Sequence, residues 1–532
     1  LVDHAGEPCV VRIKRKAREM VNWLLSDPAD RRFLWITGVS CVIASIGLSI
    51  WAIYSDPIIN NDGVGYVRTA EFFGNGQWSL AFADFKWPFY SFFMWMVSAL
   101  TGLSLKGAGH VINTVCFSGV ILLFIAVIRA LGGKSKRLTV LAAIVALAHP
   151  AFNEYRSFVI RDPGYLAGYL AALYCLLLCQ KDSSWRARVA VLVALVAASL
   201  FRIEGVVFLF LSPLLFVMVS QNFDQRRWPL LLIAATPLIG LGVILAGWFL
   251  VPDGKMGFWS VLSNPQGVVV TVWEQVAGTL SSKLDLLREE FLGRYSAGYA
   301  YVLFGLTVTT IVTSAILSEL TIPFAVLAVY GYTSGLCFGN GGQRRVWLAL
   351  LSINLAILLV FVLIMLFLAP RYMLTLSVTA LLAVPFVLEH VLKRIRWRDL
   401  KGLRLLVAVI VLLWIAGESI SGIHNPATKL HLRESGQWLQ PYTVGRAGSL
   451  VTNDKRILYY AGRYMDRTHI ERDLTSLLRG LEKQRWEGAV FVAVRLRDGE
   501  DEVGVVSALG LEHIKRFENH RGDRVLIFSL DP

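Results

Sequence analysis

Long apolar runs separated by short basic segments are the feature that most constrains the fold of this chain. Phe33–Tyr54 is the first of these runs, and Val346–Leu368 is one of the longest. A helix of about 20 apolar residues crosses the hydrocarbon core of a bilayer. Only helices and closed barrels satisfy their backbone in lipid, and these runs are too continuous for barrel strands. We therefore predict a polytopic α-helical membrane protein with about 11–13 spans.

Basic residues set the orientation of these spans. The formal net charge is +14, and Lys and Arg gather in short segments such as Lys134–Arg137 and Lys393–Arg404. Such segments stay on the cytoplasmic side, so the charge indicates topology and does not point to nucleic-acid binding. Residues 1–32 form a predicted basic, interfacial segment in the cytoplasm, and the first span then runs outward without a cleavage pattern. The topology also requires that one of two apolar stretches, Pro88–Leu103 or Val111–Leu131, is re-entrant or lies along the interface, and we favour Pro88–Leu103 because it is shorter.

Composition divides the rest of the chain into two domains. Residues 33–421 carry the apolar runs and form the predicted transmembrane domain, with external loops at 55–87 and 252–298. The second loop repeats apolar residues at helical spacing, which predicts an amphipathic helix lying on the membrane. Residues 422–532 have the composition of a soluble domain, and the last predicted span leaves this domain outside.

The C-terminal domain alternates strand-like and helix-like patterns, which predicts a small α/β domain. The predicted strands are Ser449–Thr452, Ala489–Val494 and Val525–Phe528, and the predicted helices are Asp473–Lys483 and Glu502–Leu509.

Charged residues cluster at the outer ends of the predicted spans. The four groups are Asp62 with Tyr66, Arg68 and Glu71; Glu154 with Arg156, Arg161 and Asp162; Arg202 with Glu204; and Arg371 with Tyr372. Ionisable residues at membrane depth are expensive and indicate function. Single arginines anchor to lipid headgroups, whereas acidic residues gain little there. Arginines clustered with acids therefore indicate a site that binds an anion and moves a proton.

Asp62 is the leading catalytic candidate. A carboxylate takes a proton from an acceptor hydroxyl that lies within hydrogen-bond reach. The structural alternative is that Asn61 or Asp62 caps a short helix that begins near Val64. The arginines suit phosphate, because a planar guanidinium donates two parallel hydrogen bonds.

Five short motifs carry a resemblance to a known family. They are Asn61–Asp62–Gly63, Lys86–Trp87–Pro88–Phe89–Tyr90, Asn153–Glu154–Tyr155–Arg156, Arg202–Ile203–Glu204–Gly205, and Pro370–Arg371–Tyr372 ahead of a last span and an external α/β domain. With this layout the chain resembles the GT-C class of membrane glycosyltransferases, in particular bacterial aminoarabinose transferases and protein O-mannosyltransferases.

The resemblance implies an inverting glycosyltransferase of the bacterial inner membrane, with its site and its C-terminal domain facing the periplasm. The donor would be a polyprenyl-phosphate sugar, and the acceptor a hydroxyl of a lipid, a glycan or a protein. Asp62 would be the general base, and Arg202, Arg371 and Tyr372 would hold the donor phosphate. The residues that would position donor or acceptor are Tyr66, Arg68, Lys86, Tyr90, Glu154, Arg156 and Glu204.

Two questions stay open at this point. The cofactor is either none or a divalent cation, magnesium or manganese, for which Asp62 and Glu154 would be the ligands. The reaction has two alternatives, an O-antigen ligase or polymerase that uses a diphosphate lipid donor, and a transporter or flippase. Transporters place charges near the bilayer midplane and repeat their two halves, and the sequence has neither feature.

Overall fold

The structure, a computed structural model, describes residues 30–181, 185–219, 265–337, 341–394, 403–423, 429–443, 445, 449–466, 474–482 and 488–530. Within these ranges the chain is mainly helical and has one four-stranded sheet. The predicted span Leu230–Val251 and nearly all of the predicted basic segment 1–32 lie outside the described residues.

The helices of these ranges are numbered in chain order. They are α1 (Arg31–Ser55), α2 (Asn61–Gly74), α3 (Trp78–Asp84), α4 (Phe89–Thr101), α5 (Leu105–Ala130), α6 (Lys136–Ala148), α7 (Pro150–Glu154), α8 (Asp162–Lys181), α9 (Trp185–Phe201), α10 (Glu204–Val219), α11 (Pro265–Leu286), α12 (Gly293–Ser296), α13 (Ala300–Leu320), α14 (Ile322–Thr333), α15 (Gly341–Met365), α16 (Leu374–Leu381), α17 (Val384–Arg394), α18 (Leu403–Ile423), α19 (Leu430–Thr443), α20 (Lys455–Tyr460), α21 (Leu474–Glu482) and α22 (Glu502–Leu509). Single turns of other helix types lie at Tyr155–Ser157, Leu287–Phe291, Ala297–Tyr299 and Pro370–Met373.

Several helices are long and apolar enough to cross a membrane, which confirms the polytopic helical class. Among the described residues there are five, at Arg31–Ser55, Leu105–Ala130, Asp162–Gln180, Gly293–Leu320 and Gly341–Met365. Two bent helix pairs, at 136–157 and 370–394, bring the number to seven.

The described part of the chain thus has fewer full-length spans than the predicted 11–13. Three apolar stretches form helices of only 10–17 residues, at Phe89–Thr101, Glu204–Met218 and Ile322–Thr333. A helix of 13 residues is about 20 Å long, whereas a hydrocarbon core is about 30 Å thick. Hydropathy alone does not separate these short helices from full crossings. Phe89–Thr101 occupies the stretch that the sequence marks as re-entrant or interfacial.

The described residues divide into two compact units. The first, called the helical unit, comprises the described residues within Leu1–Leu48, Thr114–Glu154 and Arg161–Gly422. The second, called the mixed unit, comprises the described residues within Ser49–Asn113, Tyr155–Ile160 and Ile423–Pro532. The division after Gly422 lies next to the domain boundary expected from composition. The mixed unit nevertheless includes the first external loop as well as the C-terminal domain.

Both predicted external loops contain helices. The first holds α2 and α3, and the second holds α11. Near the C-terminal end of α11, Leu280 and Leu284 pack in a buried cluster that includes Leu358 and Val362 of α15. Lys283 of the same helix donates a hydrogen bond to the Ile364 carbonyl (3.1 Å). These contacts join the C-terminal part of α11 to α15, and the location of α11 on the membrane stays a prediction.

The C-terminal sheet has the strand order β1-β2-β4-β3. Its strands are β1 (Leu450–Thr452), β2 (Phe491–Leu496), β3 (Lys515–Glu518) and β4 (Arg524–Ser529). β1 and β2 are parallel, while β4 is antiparallel to both β2 and β3. The predicted strands correspond to β1, β2 and β4. β3 was missed because it is an edge strand with charged, mostly exposed side chains, which lacks an apolar pattern.

Helices cover both faces of this sheet. Along β4, Val525 and Ile527 face α19 and α20, whereas Leu526 and Phe528 pack on the other side with Leu477 of α21. Side chains of a strand alternate between faces, so a strand buried on both sides is apolar at every position. The predicted α/β architecture is therefore a helix–sheet–helix sandwich.

Candidate functional site

Two glycines of α8 determine how closely this helix approaches α9. A Cβ on Gly168 would lie 2.8 Å from the backbone of Ala198, and one on Gly164 would overlap the Phe201 ring. Small residues four apart allow membrane helices to pack at backbone distance. At the following turn a Cβ on Gly205 would lie 2.5 Å from the Ser199 nitrogen. The glycines thus bring the start of α8 against the turn that carries Arg202.

Arg202 lies between two carboxylates. Its guanidinium forms ion pairs with Asp162 at the start of α8 and with Glu204 at the start of α10. Its Nε also donates to Glu204 Oε2 (3.2 Å). The arginine is 7% exposed. Three of its five N–H donors are used in these contacts, and the two carboxylates hold the guanidinium plane in one orientation.

Aromatic rings complete the surroundings of Arg202. Its guanidinium carbon lies 4.9 Å from the centre of the Tyr372 ring and 5.7 Å from that of Tyr165. Arg371 approaches the same tyrosine, with its guanidinium carbon 5.2 Å from the Tyr372 ring centre and its Nη2 3.4 Å from the Tyr372 hydroxyl. Cation–π contacts of this kind add to the ion pairs. The Arg–x–Glu–Gly and Pro–Arg–Tyr motifs therefore meet within the helical unit.

A cavity of about 230 Å³ opens at this cluster. Its polar lining comes from Arg161, Tyr165, Arg202, Glu204, Asn354, Tyr372 and Thr375, and its apolar lining from Ile203, Ile357, Leu358 and Phe361. The cavity thus combines charged and hydrogen-bonding groups with apolar walls. Such a lining suits a ligand with an ionised head and an apolar chain.

A chain of buried hydrogen bonds extends from the cavity into the helical unit. Asn354, in the middle of α15, donates to the Tyr169 hydroxyl (3.2 Å), which shares a hydrogen bond with the Thr379 hydroxyl (2.8 Å). Trp347 donates from its ring nitrogen to the Thr379 carbonyl (2.7 Å). These bonds connect α8, α15 and α16, so the cavity wall is built on rigid helices.

Asp62 belongs to the mixed unit, where it is the second residue of α2 and half-buried. The N-cap position is Asn60, whose side chain bonds to the backbone of Val159 in both directions. The structural alternative, in which Asn61 or Asp62 is the cap, is therefore wrong. An aspartate in the first turn is still favoured by the helix dipole.

Gly63 leaves room for the turn that presents Asp62. A Cβ at this position would lie 2.7 Å from Asn60 Oδ1, 2.9 Å from Ile59 Cγ1 and 3.2 Å from Val159. The Asn–Asp–Gly motif is thus explained by close packing around the start of α2.

Arg68 is engaged in a buried ion pair. It contacts Asp84 through Nη2 (2.8 Å) and Nε (3.2 Å), and Thr69 donates to the same carboxylate (2.8 Å). Both charged side chains are less than a tenth exposed. The pair holds α3 against α2, so a positioning role in substrate binding competes with this structural one.

The other predicted residues of the mixed unit differ in burial. Tyr66 and Tyr90 are buried with ring centres 5.1 Å apart, and Tyr90 donates to Asn113 (3.1 Å). Arg156 is 1% exposed and donates to the Ser49 hydroxyl (2.9 Å), whereas Lys86 is exposed.

The two metal candidates belong to different units. Glu154 is exposed and belongs to the helical unit, while Asp62 belongs to the mixed unit. In the ranges that the structure describes, no three His, Cys, Asp or Glu side chains converge on one point. Magnesium is often held by only one or two carboxylates together with water and substrate phosphates, so a divalent cation at Asp62 or Glu154 stays a prediction, and no step below uses one.

The structure therefore brings together four of the predicted residues, Arg202, Glu204, Arg371 and Tyr372, in the helical unit. Arg161 and Asp162 had been recognised as charges at a span end but were assigned no role. Asn354 was missed, although a lone Asn within an apolar run indicates an inward-facing position. Tyr165 and Thr375 had no comparable signal, because each stands among residues of ordinary transmembrane composition.

Comparisons with known proteins identify the fold. No protein-family model and no curated protein matches the sequence. Among solved structures, the chain is similar to the Archaeoglobus fulgidus oligosaccharyltransferase, whose structure was determined with a tethered acceptor peptide containing the NVT sequon. The match covers 86% of this chain and 68% of the oligosaccharyltransferase, with 11% sequence identity and a TM-score of 0.50. ArnT from Cupriavidus metallidurans in the apo state matches 92% of this chain and 97% of its own length, with 13% identity and a TM-score of 0.40. The oligosaccharyltransferase likeness confirms the GT-C-like fold expected from the motifs.

Proposed function

We propose that this chain is an inverting glycosyltransferase that moves a sugar from a polyprenyl-phosphate donor to an acceptor hydroxyl at the outer face of the bacterial inner membrane. The observation that carries the proposal is the cavity at Arg202, which combines arginines with apolar walls in a GT-C-like fold. A lipid-linked sugar phosphate has the matching parts, an ionised head and a long apolar chain.

The balance of charge at the cavity favours a monophosphate over a diphosphate donor. The three guanidiniums at or beside the cavity belong to Arg161, Arg202 and Arg371, and the two carboxylates to Asp162 and Glu204. Among these five residues one positive charge remains. A sugar-linked phosphodiester carries one negative charge, whereas a diphosphate carries two, so the former is neutralised with no charge left over.

The reaction assigns different tasks to Asp62 and to the arginine cluster. The acceptor oxygen forms a bond to the anomeric carbon while the bond from that carbon to the phosphate oxygen breaks. Asp62 takes the hydroxyl proton, which completes the nucleophile. The departing polyprenyl phosphate changes from a monoanion to a dianion, and the fixed arginine cluster with Tyr372 stabilises that additional charge. Attack from the face opposite the leaving group inverts the anomeric centre.

The Asp162 and Glu204 carboxylates position Arg202 in this scheme. A free arginine side chain samples many rotamers, and each one frozen on binding costs free energy. Two ion pairs and the Tyr372 ring fix the guanidinium before the donor arrives, and two N–H donors remain to meet phosphate oxygens. Pre-organised donors of this kind need no rearrangement as charge develops.

The acceptor class stays open among lipid, glycan and protein. The similar oligosaccharyltransferase was crystallised with an acceptor peptide. Its fold therefore accommodates a protein acceptor, and an envelope extract offers proteins as well as lipids and glycans as acceptors.

A turnover assay with synthetic donors tests the proposal. The purified chain is mixed with short-chain polyprenyl phosphates carrying mannose, arabinose or galacturonic acid and with an envelope extract as acceptor source, and released polyprenyl phosphate is measured by mass spectrometry. We expect release with one donor, at least a hundredfold slower in Asp62→Asn and unchanged in Asp285→Asn, a control at an exposed carboxylate. Turnover of a diphosphate donor alone would instead support the ligase or polymerase alternative. Uptake of substrate into sealed vesicles without transfer would support a transporter.

A further inference from the structure

The segment that leads to Asp62 is held at almost every residue. Asp56 pairs with Lys429 (3.0 Å), and the Pro57 carbonyl accepts a hydrogen bond from Lys106 (2.5 Å). The Ile59 N–H donates to the hydroxyl oxygen of Tyr460 (3.1 Å). With Asn60 bonded to Val159 in both directions, four of the five residues from 56 to 60 are fixed by groups distant in sequence.

Two of these contacts come from the C-terminal region. Lys429 directly precedes α19, and its ammonium also lies 5.7 Å from the centre of the Phe158 ring. Tyr460 ends α20, the helix that packs between the sheet and α2. Ile59 is 1% exposed, so a lost partner for its N–H would leave a buried donor unsatisfied.

A third contact holds the far end of the same helix. The Tyr464 hydroxyl donates to Glu71 Oε2 (3.4 Å), near the C-terminal end of α2. Burial and the neighbouring Glu71 carboxylate raise the pKa of Tyr464 to about 12, so its hydroxyl stays protonated and able to donate. The C-terminal domain therefore contacts the segment just before α2 and the last turn of α2, at Ile59 and at Glu71.

We propose that the C-terminal α/β domain is a positioning domain for the general base, with Tyr460 and Lys429 as its positioning residues. A shift of 1 Å at a catalytic group costs about a hundredfold in rate. Because α2 has only 14 residues, it requires tertiary contacts to keep Asp62 in position. The role assigned to Asp62 is that of the proposed function, on which this inference rests. The contacts themselves are independent of it.

Amide hydrogen exchange of the full chain in detergent tests the positioning directly. Tyr460→Phe removes the hydroxyl and keeps the ring. We expect exchange at Ile59 and in the first turn of α2 to become about tenfold faster in this variant and in Lys429→Gln. Tyr459→Phe is the matched control, since the Tyr459 ring packs on both Tyr460 and Tyr464. Equal exchange in the wild type, Tyr460→Phe and Tyr459→Phe would overturn the inference.

Kinetics with the synthetic donors separate positioning from general stabilisation. Tyr460→Phe should lower kcat about tenfold and leave the donor KM unchanged, because the phosphate-binding cluster is untouched. A change in donor KM with unchanged kcat would contradict the role. If no donor turns over at all, the proposed function fails while the exchange result still decides whether the domain holds α2.

Discussion

The guanidinium carbon of Arg202 lies 4.9 Å from the centre of the Tyr372 ring, although these residues are far apart in the sequence. Asp162 and Glu204 form ion pairs with the same guanidinium. Arg202 and Tyr372 belong to two of the motifs on which the resemblance rests, and both line the same cavity. The carboxylates make Arg202 a fixed part of the fold as well as a candidate ligand for phosphate.

Loss of the Arg202 charge should destabilise the protein strongly. Arg202→Met leaves two carboxylates without their buried partner, which costs about 3–5 kcal/mol when one member of a buried pair is removed. Arg288 is the control, since it pairs with Asp285 at the surface, and Arg288→Met should cost less than about 1 kcal/mol. Thermal unfolding in detergent compares them. Equal midpoints for the two variants would show that the Arg202 pairs contribute little.

A double substitution separates the two roles of Arg68. Arg68→Met alone should destabilise the mixed unit, because Asp84 is left charged in a buried position. Arg68→Met with Asp84→Leu should recover most of the stability, since apolar replacement of a whole buried pair is often neutral. Donor turnover measured in the double variant then decides the role. Recovery shows a structural residue, while persistent inactivity at normal stability would show that Arg68 positions substrate.

Two neighbouring glycines should respond in opposite directions to alanine. Gly63→Ala introduces a Cβ too close to Asn60 and Ile59, and overpacking of this kind costs about 1–3 kcal/mol. Gly65 has open space around it, so Gly65→Ala should stabilise α2 by about 0.5–1 kcal/mol. Hydrogen exchange along α2 measures both effects. A neutral Gly63→Ala would contradict the tight turn before Asp62.

The pH dependence of the C-terminal domain should follow Asp454. Burial alone raises the pKa of Asp454, but the hydrogen bonds and charges of Arg456 and Arg495 outweigh burial and hold the pKa below its ordinary value. A lowered pKa in the folded state adds stability above about pH 4, and this stability is lost as the pH falls through the folded value.

The comparison with Asp454→Asn isolates this group. The unfolding midpoint of the variant should lie well below that of the wild type at pH 6, and the difference should shrink below about pH 4, where Asp454 takes up a proton in the unfolded wild type before it does so in the folded protein. A difference that is constant between pH 6 and pH 3 would contradict the assignment.

The sequence predicted the features that follow from local pattern. Apolar runs indicated the membrane class, alternation in residues 422–532 indicated the α/β domain, and short motifs indicated the GT-C-like fold. Three residues assigned to the donor phosphate, Arg202, Arg371 and Tyr372, lie together as expected. Local pattern was sufficient for the membrane class and the α/β domain because each rests on residues close in sequence, whereas the grouping of Arg202 with Arg371 and Tyr372 came from the resemblance.

What the sequence did not reveal depends on partners distant along the chain. Asp84 pairs with Arg68 from another short helix, and the contact of Tyr460 with Ile59 joins residues at opposite ends of the chain. No periodicity marks such pairs. Hydropathy likewise does not say whether an apolar helix is long enough to cross a membrane or packs as a short helix within the protein.

Native mass spectrometry of the purified protein, with the wild type beside Asp62→Asn, tests the central claim most directly. A variant without its general base should retain its donor. We predict a copurifying polyprenyl monophosphate that carries one sugar and is enriched in Asp62→Asn relative to the wild type. A diphosphate-linked oligosaccharide in its place, or equal occupancy in the two proteins, would contradict the proposed reaction.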